Sequence, residues 1–279
     1  QADVGVIESG RLQTGPQLVT TTKGATWLFW SSPQGDNWDI FGSERRNGRW
    51  SPREQITTAA GSDFHLAAAA GPDGEIWLTW QSFRKGNGDI FAKRYADNRW
   101  SNDIAVTTNE ANEWEPSLSV DPQGTVWIGY DTYRHGNYDV YLTSLSISKV
   151  GKVQRGKTIP IAATADFEAH ASVEATQAGE VWIAYDAAGP NWGKDNVGTN
   201  PSSSGTYNDP LHANRRVGLR VWKDGQLHET QAKLPQRLDT LRPKSVAHKY
   251  MGEVKRFYEL PQLMRDGDGR LWLLFRLNR

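Results

Sequence analysis

The sequence has no cysteine among its 279 residues, no long apolar run and no excess of charge of one sign. The missing cysteines exclude a disulfide framework and a thiolate metal site. No apolar stretch approaches the roughly twenty residues that a membrane-spanning helix requires. The 32 basic and 32 acidic residues balance each other, so the chain lacks the one-signed field that attracts nucleic acid or an anionic membrane. We therefore expect neither nucleic-acid binding nor membrane insertion.

Tryptophan, by contrast, is abundant, and many of its thirteen copies follow an internal repeat. Five segments share a glycine-containing turn, a short β-rich stretch and an anchor tryptophan inside it. A glycine turn followed by alternating, β-rich residues is typical of a hairpin. The anchors lie 50, 50, 55 and 90 residues apart, at Trp27, Trp77, Trp127, Trp182 and Trp272, and we expect all five at equivalent buried positions.

Each repeat unit continues with further short β-rich segments. A polar loop leads to a third strand, and a turn with Trp-Ser leads to a fourth. Four short antiparallel strands in about fifty residues are typical of the blade of a β-propeller. We therefore predict an all-β protein, a single β-propeller domain over residues 1–279 with about five four-stranded blades. The third strands are predicted at residues 39–41, 89–91, 139–141 and 217–222, and two fourth strands at residues 55–58 and 104–107.

The two ends of the chain depart from the repeat. Residues 6–8 match residues 55–57, because Pro16 and His65 occupy the same repeat position 49 residues apart. We therefore expect residues 3–9 to form an N-terminal strand that closes the ring against the last blade. The fifth unit reaches Arg279 after its second strand. We therefore expect an incomplete last blade, which is either irregular or, as we favour, completed by a further domain or chain.

The repeated turn, its Val/Ile-Trp-Ile/Leu core and the Gly-Asn-x-Asp-Val/Ile-Tyr/Phe strand resemble the propeller domains of large secreted bacterial multidomain proteins. More distantly, the pattern resembles the sialidase and Asp-box propellers. An Asp-box lies between the third and fourth strands, whereas the Asp-x-x-Gly-x-x-Trp turns here, such as residues 121–127, lie between the first and second. The resemblance therefore transfers no catalytic residue; it implies a secreted or periplasmic protein in a glycan-related setting.

In a propeller, the first strands of all blades begin at one mouth of the central channel, and ligands bind where several blades converge. The sequence aligns these beginnings at Pro16, His65, Pro116, His170 and Pro261. Charged residues recur beside them, where small or apolar residues would serve stability alone. We interpret five of these residues as candidate catalytic groups: His65, Glu115, Glu168, His170 and Glu259.

The loops between second and third strands open at the same mouth, and the fourth unit inserts a long loop, residues 186–216. Loops of this length are mostly functional or disordered. Aromatic faces stack on sugar rings, and arginine or carboxylate groups bind hydroxyl or uronate groups. The candidate substrate-binding residues are Asp63, Arg84, Tyr133, Arg134, Trp192, Lys194 and Asp195.

These residues predict an extracellular carbohydrate-active propeller whose partner is a glycan or polysaccharide. Two carboxylates across the mouth would suit a glycoside hydrolase, whereas His65 or His170 with Tyr133 would suit proton abstraction beside a uronate in a lyase. The alternatives are a non-catalytic glycan- or protein-binding module and a structural propeller of a larger assembly, because one fold hosts all of these. No cofactor or catalytic metal is expected, and a structural calcium ion at the turn of Asp266 and Asp268 is a minor alternative.

Overall fold

The structure is a computed structural model that describes residues 12–189, 215–230, 247–248, 252–253 and 257–278. These residues form β-strands, turns and loops. In this part of the chain there is no helix with the length and apolarity to cross a membrane. The expected closing strand at residues 3–9 lies outside the described residues.

The strands build five antiparallel sheets, each running outward from an inner strand, and this confirms the predicted β-propeller. We call the sheets blades 1 to 5. The inner strands are β1 (Thr14–Thr20), β6 (Asp63–Ala70), β11 (Glu113–Val120), β16 (Phe167–Ala175) and β22 (Phe257–Arg265). The second strands are β2 (Thr26–Gln34), β7 (Ile76–Ser82), β12 (Val126–Thr132), β17 (Val181–Ala188) and β23 (Leu271–Asn278). The third strands are β3 (Asn37–Arg46), β8 (Asp89–Ala96), β13 (Asp139–Ile147) and β18 (Arg216–Lys223).

The outer strand of blades 1 to 3 is broken into two short pieces, and the predicted fourth strands are therefore shorter than expected. Both pieces pair with the third strand of their blade. The outer strands are β4 (Arg49–Trp50) and β5 (Glu54–Gln55), β9 (Arg99–Trp100) and β10 (Ile104–Ala105), β14 (Val153–Arg155) and β15 (Ile159–Ala162), and β19 (Gln226–Glu229) in blade 4. A two-stranded ribbon, β20 (Ala247–His248) and β21 (Gly252–Glu253), precedes blade 5, of which the described residues include β22 and β23.

The hairpin between the first and second strands closes through the same glycine turn in each blade. Gly74 and Gly124 both have a φ of 80°, a backbone conformation that only glycine adopts without strain. The turn fixes the register, so that Ala69 pairs with Trp77 and Ser119 pairs with Trp127. The repeat found in the sequence is therefore a repeat of hairpin geometry.

The hydrophobic core is a series of layers between neighbouring blades. One layer joins blades 1 and 2, a second joins blades 2 and 3, and a third joins blades 3 and 4. The inner strands also contact each other in succession, from β1 through β6, β11 and β16 to β22. This succession places the first strands around one axis, as the repeat predicts.

The five anchor tryptophans occupy equivalent positions in the hairpin register, but their burial is not equal. Trp27 and Trp77 are 3% and 1% exposed. Trp127 and Trp182 are half-buried, and Trp272 is 51% exposed. The prediction of five equally buried anchors is therefore wrong for the later blades. The physical reason is that each anchor packs toward the next blade, as Trp27 packs on Tyr95 and Trp100, so its burial depends on its neighbour.

Every inner strand carries a β-bulge near its start. The ladder between the first and second strands shifts register at this point in all five blades. One residue of each bulge has a left-handed backbone conformation, with φ between 47° and 61°. These five residues, which we call the hook residues, are Gly15, His65, Glu115, His170 and Leu260. A bulge of this kind redirects a side chain that a regular strand would place elsewhere.

Candidate functional site at the channel mouth

The inner strands enclose a cavity of about 340 Å³ whose wall includes residues from all five blades. His65, Glu115 and His170 line this cavity, and each of them is a hook residue. The register corrects the alignment used for the prediction: His65 is equivalent to Glu115 and His170, not to Pro116. The hook position is thus charged or titratable in blades 2, 3 and 4, and it is Gly15 or Leu260 in the other two.

The backbone of three hook residues is held by a side chain of the preceding blade. Gln81 Oε1 accepts the N–H of Glu115 at 3.3 Å, and Asp131 Oδ2 accepts the N–H of His170 at 2.8 Å. Asp186 in turn accepts the N–H of Leu260 at 3.0 Å. A left-handed conformation at a residue other than glycine is strained and persists only when the surroundings fix it. These hydrogen bonds between blades supply that constraint.

His170 is the centre of the polar cluster at the mouth. Its Nδ1 lies 2.8 Å from Asp186 Oδ2, and its Nε2 lies 3.5 Å from Glu115 Oε2. Asp186 is fully buried, whereas the side chains of His170 and Glu115 are 25% and 38% exposed. The imidazole is therefore oriented from the protein side by a buried carboxylate and presents Nε2 to Glu115 and the cavity.

Burial and the neighbouring charges in this cluster favour the protonated forms of His170 and Asp131. Burial alone would lower the pKa of His170, but the hydrogen bond to Asp186 and the charges of Asp131 and Glu115 outweigh it and raise the pKa above its usual range. Burial raises the pKa of Asp131 to about 7, against the opposing effect of His170 and the backbone N–H groups. At neutral pH the cluster therefore holds more protons than the same groups would in water.

Arg215 joins this cluster to blade 5. Its guanidinium donates to Asp186 Oδ2 at 2.9 Å and to Glu259 Oε2 at 2.7 Å. Arg276 also donates to Glu259, through Nε at 2.6 Å. Glu259 is only 3% exposed. The structure therefore places this predicted catalytic residue behind the mouth, paired with two arginines, because its position in the strand precedes the hook rather than forming it.

Glu168 is also placed away from the cavity. It is 4% exposed, and its carboxylate accepts hydrogen bonds from the Thr164 hydroxyl at 2.5 Å and the Thr164 N–H at 3.3 Å. In register it is equivalent to Asp63 and Glu113, both of which are fully buried. Two residues before the hook, the strand turns these side chains into the space between blades, where burial raises their pKa values.

Two of the predicted substrate-binding residues serve packing between strands. Arg84 donates to Asp103 at 2.7 Å, lies 3.6 Å from Asp63 and covers the ring of Phe91 at 4.1 Å. Its side chain is 15% exposed. Arg84 and Asp63 thus hold blade 2 together rather than facing the cavity. The predicted residues Trp192, Lys194 and Asp195 lie outside the described residues.

The predicted residues Tyr133 and Arg134 lie on the loop between β12 and β13. Arg134 is exposed, with its guanidinium 3.4 Å from Glu113 and 5.2 Å from the Tyr141 ring centroid. Tyr133 contacts Trp114 and Tyr138. The structure therefore brings aromatic rings and a cation to the rim of the mouth on the side of blades 3 and 4.

The carboxylates at the two places where an ion could bind accept hydrogen bonds from the protein. Oxygen and nitrogen atoms of Glu115, Asp131 and His170 lie within 4.8 Å of one another, but both Asp131 oxygens already accept backbone N–H groups. At the turn considered for calcium, Asp266 accepts two backbone N–H groups and the indole N–H of Trp272. These hydrogen bonds within the turn explain why an aspartate stands at position 266.

Sequence reasoning missed Asp131, Asp186 and Arg215. A signal for the two aspartates was present, since each directly follows a core tyrosine of a second strand, Tyr130 or Tyr185. Ser31, Gln81 and Arg276 stand at the same place in the other blades. A polar residue after the last core aromatic ring marks the point where the strand reaches the mouth.

No protein-family model matches the chain, and no curated protein matches it in sequence. Solved structures match it as folds. A protein of unknown function from Dyadobacter fermentans DSM 18053 is 13% identical with a TM-score of 0.61, over 96% of this chain and 76% of that one. An alpha-L-arabinanase from Penicillium chrysogenum, complexed with arabinobiose, is 12% identical with a TM-score of 0.51, over 97% and 90%. A PL25 ulvan lyase bound to -[GlcA(1-4)Rha3S]- is 11% identical with a TM-score of 0.52, over 95% and 69%.

These structures include a propeller glycoside hydrolase and a propeller polysaccharide lyase, and at such identities the likeness shows the fold alone. The resemblance to Asp-box propellers stays a prediction from the sequence.

Proposed function

We propose that this protein is a carbohydrate-active enzyme that cleaves a uronate-containing polysaccharide by β-elimination at the channel mouth. The observation that carries the proposal is the identity of the groups that reach the cavity. They are two imidazoles, His65 and His170, and two carboxylates, Glu115 and Glu174. Glu174 is half-buried and lies 3.4 Å from Arg265. The carboxylates of Asp131, Asp186 and Glu259 are buried and bonded inside the protein.

The chemistry of β-elimination matches this set. A base removes the proton on the carbon next to the uronate carboxylate, a carbon–carbon double bond forms, and the neighbouring glycosidic C–O bond breaks. The leaving oxygen then takes a proton from an acid. We assign the base to His65, whose side chain has no hydrogen bond within the described chain, and the acid to His170, whose raised pKa favours the protonated form. Solvent resets both imidazoles.

The pH dependence follows from these roles. The raised pKa of His170 extends the pH range over which the acid is protonated, and activity should fall as pH rises through that pKa. General acid–base groups typically contribute about 10²–10⁴-fold to a rate. His65→Ala and His170→Ala should therefore each lower the rate by about that factor, whereas His228→Ala, an exposed histidine on β19, should not.

A glycoside hydrolase is the second candidate. One observation favours it: Glu115 and Asp131 oxygens lie within 4.8 Å, and the pKa of Asp131 is about 7. One protonated and one ionised carboxyl group are what hydrolysis of a glycosidic bond requires. Against this, Asp131 is 2% exposed and its oxygens hold the backbone of His170 and Ala171.

Incubation with uronate-rich and with neutral polysaccharides separates the candidates. A lyase produces an unsaturated uronate with ultraviolet absorbance, and a hydrolase produces new reducing ends without it. Retention by a polysaccharide without cleavage indicates a non-catalytic binding module. Cleavage by His170→Ala at the wild-type rate would contradict the proposed acid. Because an intact polysaccharide does not cross a cell membrane, the proposal also places the protein outside the cell or in the periplasm.

A further inference from the structure

Three aromatic side chains form a continuous surface beside the reactive groups, on the side of blades 3 and 4. The Trp114 ring lies 5.2 Å from that of Tyr138 and 6.4 Å from that of Tyr133, and the two tyrosine rings are 5.2 Å apart. All three side chains are half-buried. We call Trp114, Tyr133 and Tyr138 the aromatic shelf.

The shelf is directly connected to the proposed acid. Trp114 precedes Glu115 in β11 and pairs with Asp131 of β12. On the other side, the Tyr138 ring contacts Phe167 at 5.4 Å, and the Phe167 ring lies 6.3 Å from that of His170. Phe167 is buried, so these contacts connect the shelf to His170 through the protein and place the shelf next to the cavity, on the side of blades 3 and 4.

Blade 2 leaves room for the indole of Trp114. The residue equivalent to Tyr138 is Trp38 in blade 1 but Gly88 in blade 2, in each case between an Asn and an Asp. A Cβ atom at Gly88 would lie 3.4 Å from Trp114 Nε1 and 3.1 Å from the Glu113 carbonyl oxygen. A larger residue at position 88 would displace the indole, so Gly88 determines the position of the Trp114 ring.

The shelf is partly exposed, and it carries one unpaired donor. The indole N–H of Trp114 has no hydrogen-bond partner within the part of the chain that the structure describes, although tryptophan usually pairs this group when it is buried. Exposed Arg134 lies next to Tyr133 in the chain and adds a cation at the rim. The face of an aromatic ring with one donor and one nearby cation fits a pyranose ring that carries an acidic group.

We propose that the aromatic shelf is the binding subsite for the sugar unit next to the cleaved bond, with the sugar ring stacked on Trp114. The inference rests on the proposed function, since it extends the same site. It makes substrate affinity depend on chain length: an oligosaccharide that spans the cavity and the shelf binds more tightly than one confined to the cavity. Trp38 packs on Phe64 at 5.4 Å on the opposite side of the mouth. We expect that side to contribute nothing to the dependence of affinity on chain length.

The test compares Trp114→Ala with Trp38→Ala, which removes an equally half-buried aromatic ring. In the cleavage assay on uronate oligosaccharides of increasing length, Trp114→Ala should raise KM roughly tenfold for long chains and leave kcat within a few-fold. Trp114→Phe, which keeps a flat ring, should restore most of the affinity, and its thermal unfolding checks that the fold is intact. Trp38→Ala should match the wild type.

The outcomes separate the two proposals. Cleavage by the wild type with an unchanged KM in Trp114→Ala, or an equal change in Trp38→Ala, overturns the shelf and leaves the proposed function intact. A wild type that neither cleaves nor binds any of these oligosaccharides overturns both. Titration of the same oligosaccharides into His170→Ala, in which they stay uncleaved, measures affinity without catalysis and should show the same loss on adding Trp114→Ala.

Discussion

His170 has little freedom, and each of its polar groups meets a specific partner. Asp131 holds its backbone, Asp186 holds Nδ1, and Glu115 faces Nε2. A side chain fixed in this way does not have to be ordered again when a substrate arrives, which is how catalytic groups gain from a rigid frame. The charge of the imidazole and its orientation thus depend on residues from blades 3 and 4 together.

The same contacts tie stability to pH, and Asp131→Asn tests this link. The raised pKa values of Asp131 and His170 mean that the folded protein binds more protons here than the unfolded chain does. The contribution of Asp131 to the free energy of unfolding therefore falls as pH rises from about 4 to about 7, and that of His170 falls as pH rises through its folded pKa. An amide at position 131 does not ionise and no longer raises the pKa of His170. The wild type should thus lose stability relative to the variant over this range, on the order of a few kcal/mol.

Denaturant unfolding of both proteins at several pH values measures the effect. Asp36→Asn, in the exposed turn between β2 and β3, is the control and should follow the wild type at every pH. If the stability curves of Asp131→Asn and the wild type are parallel, Asp131 does not titrate in the way its burial implies.

At the scale of strands, the repeat in the sequence predicts where a residue lies in its hairpin better than it predicts how deeply the residue is buried. The anchors Trp27 and Trp272 share the same register, because the glycine turn before each of them sets it locally. Their burial differs, since it depends on which blade packs against them, and no local pattern contains that information.

The hooks show a second limit of sequence reasoning. His65, Glu115 and His170 could be placed at the mouth because they start inner strands. Glu168 and Glu259 could not be excluded, because exclusion requires the bulge, which breaks the regular alternation of the strand. A left-handed residue is recognised in a sequence mainly when it is glycine. Here glycine marks only the first of the five hooks, at Gly15.

The difference among anchors predicts a difference in stability. Trp77→Ala removes a side chain that is 1% exposed within the layer between blades 2 and 3 and should lower the free energy of unfolding by about 3–5 kcal/mol. Trp272→Ala removes a ring that is 51% exposed and bonded to Asp266, and should cost about 1–2 kcal/mol. Chemical denaturation of both variants gives the comparison. Equal losses would mean that the exposed face of Trp272 is covered in solution.

At the scale of the whole molecule, neighbouring inner strands are joined by serine hydroxyls. Ser117 Oγ accepts the N–H of Val173 at 2.9 Å, and Ser172 Oγ accepts the N–H of Leu263 at 2.8 Å. In both cases the hydroxyl belongs to one blade and the N–H to the next. These bonds hold the inner strands in register around the channel, where no continuous ladder connects them.

Ser172→Ala tests the joint between blades 4 and 5. The Leu263 N–H is buried, and without the hydroxyl it has no acceptor at this position, so the free energy of unfolding should fall by about 1–3 kcal/mol. Ser146→Ala, at a half-buried serine of β13 whose hydroxyl makes no hydrogen bond with the described residues, is the matched control. Denaturant unfolding that gives the same stability for both variants would show that the joint does not depend on the hydroxyl.

At the hook, different residues determine the backbone conformation and the side-chain chemistry, and this separation affects how the protein can evolve. At Glu115, His170 and Leu260 the bent backbone is secured by the preceding blade, not by the side chain that projects from the bend. Imidazole, carboxylate and isobutyl groups already occupy the same bend within one chain. Mutation can therefore replace the side chain of a hook residue while the bent backbone keeps its conformation. At these three positions, a single substitution can change the chemistry at the channel without a new fold.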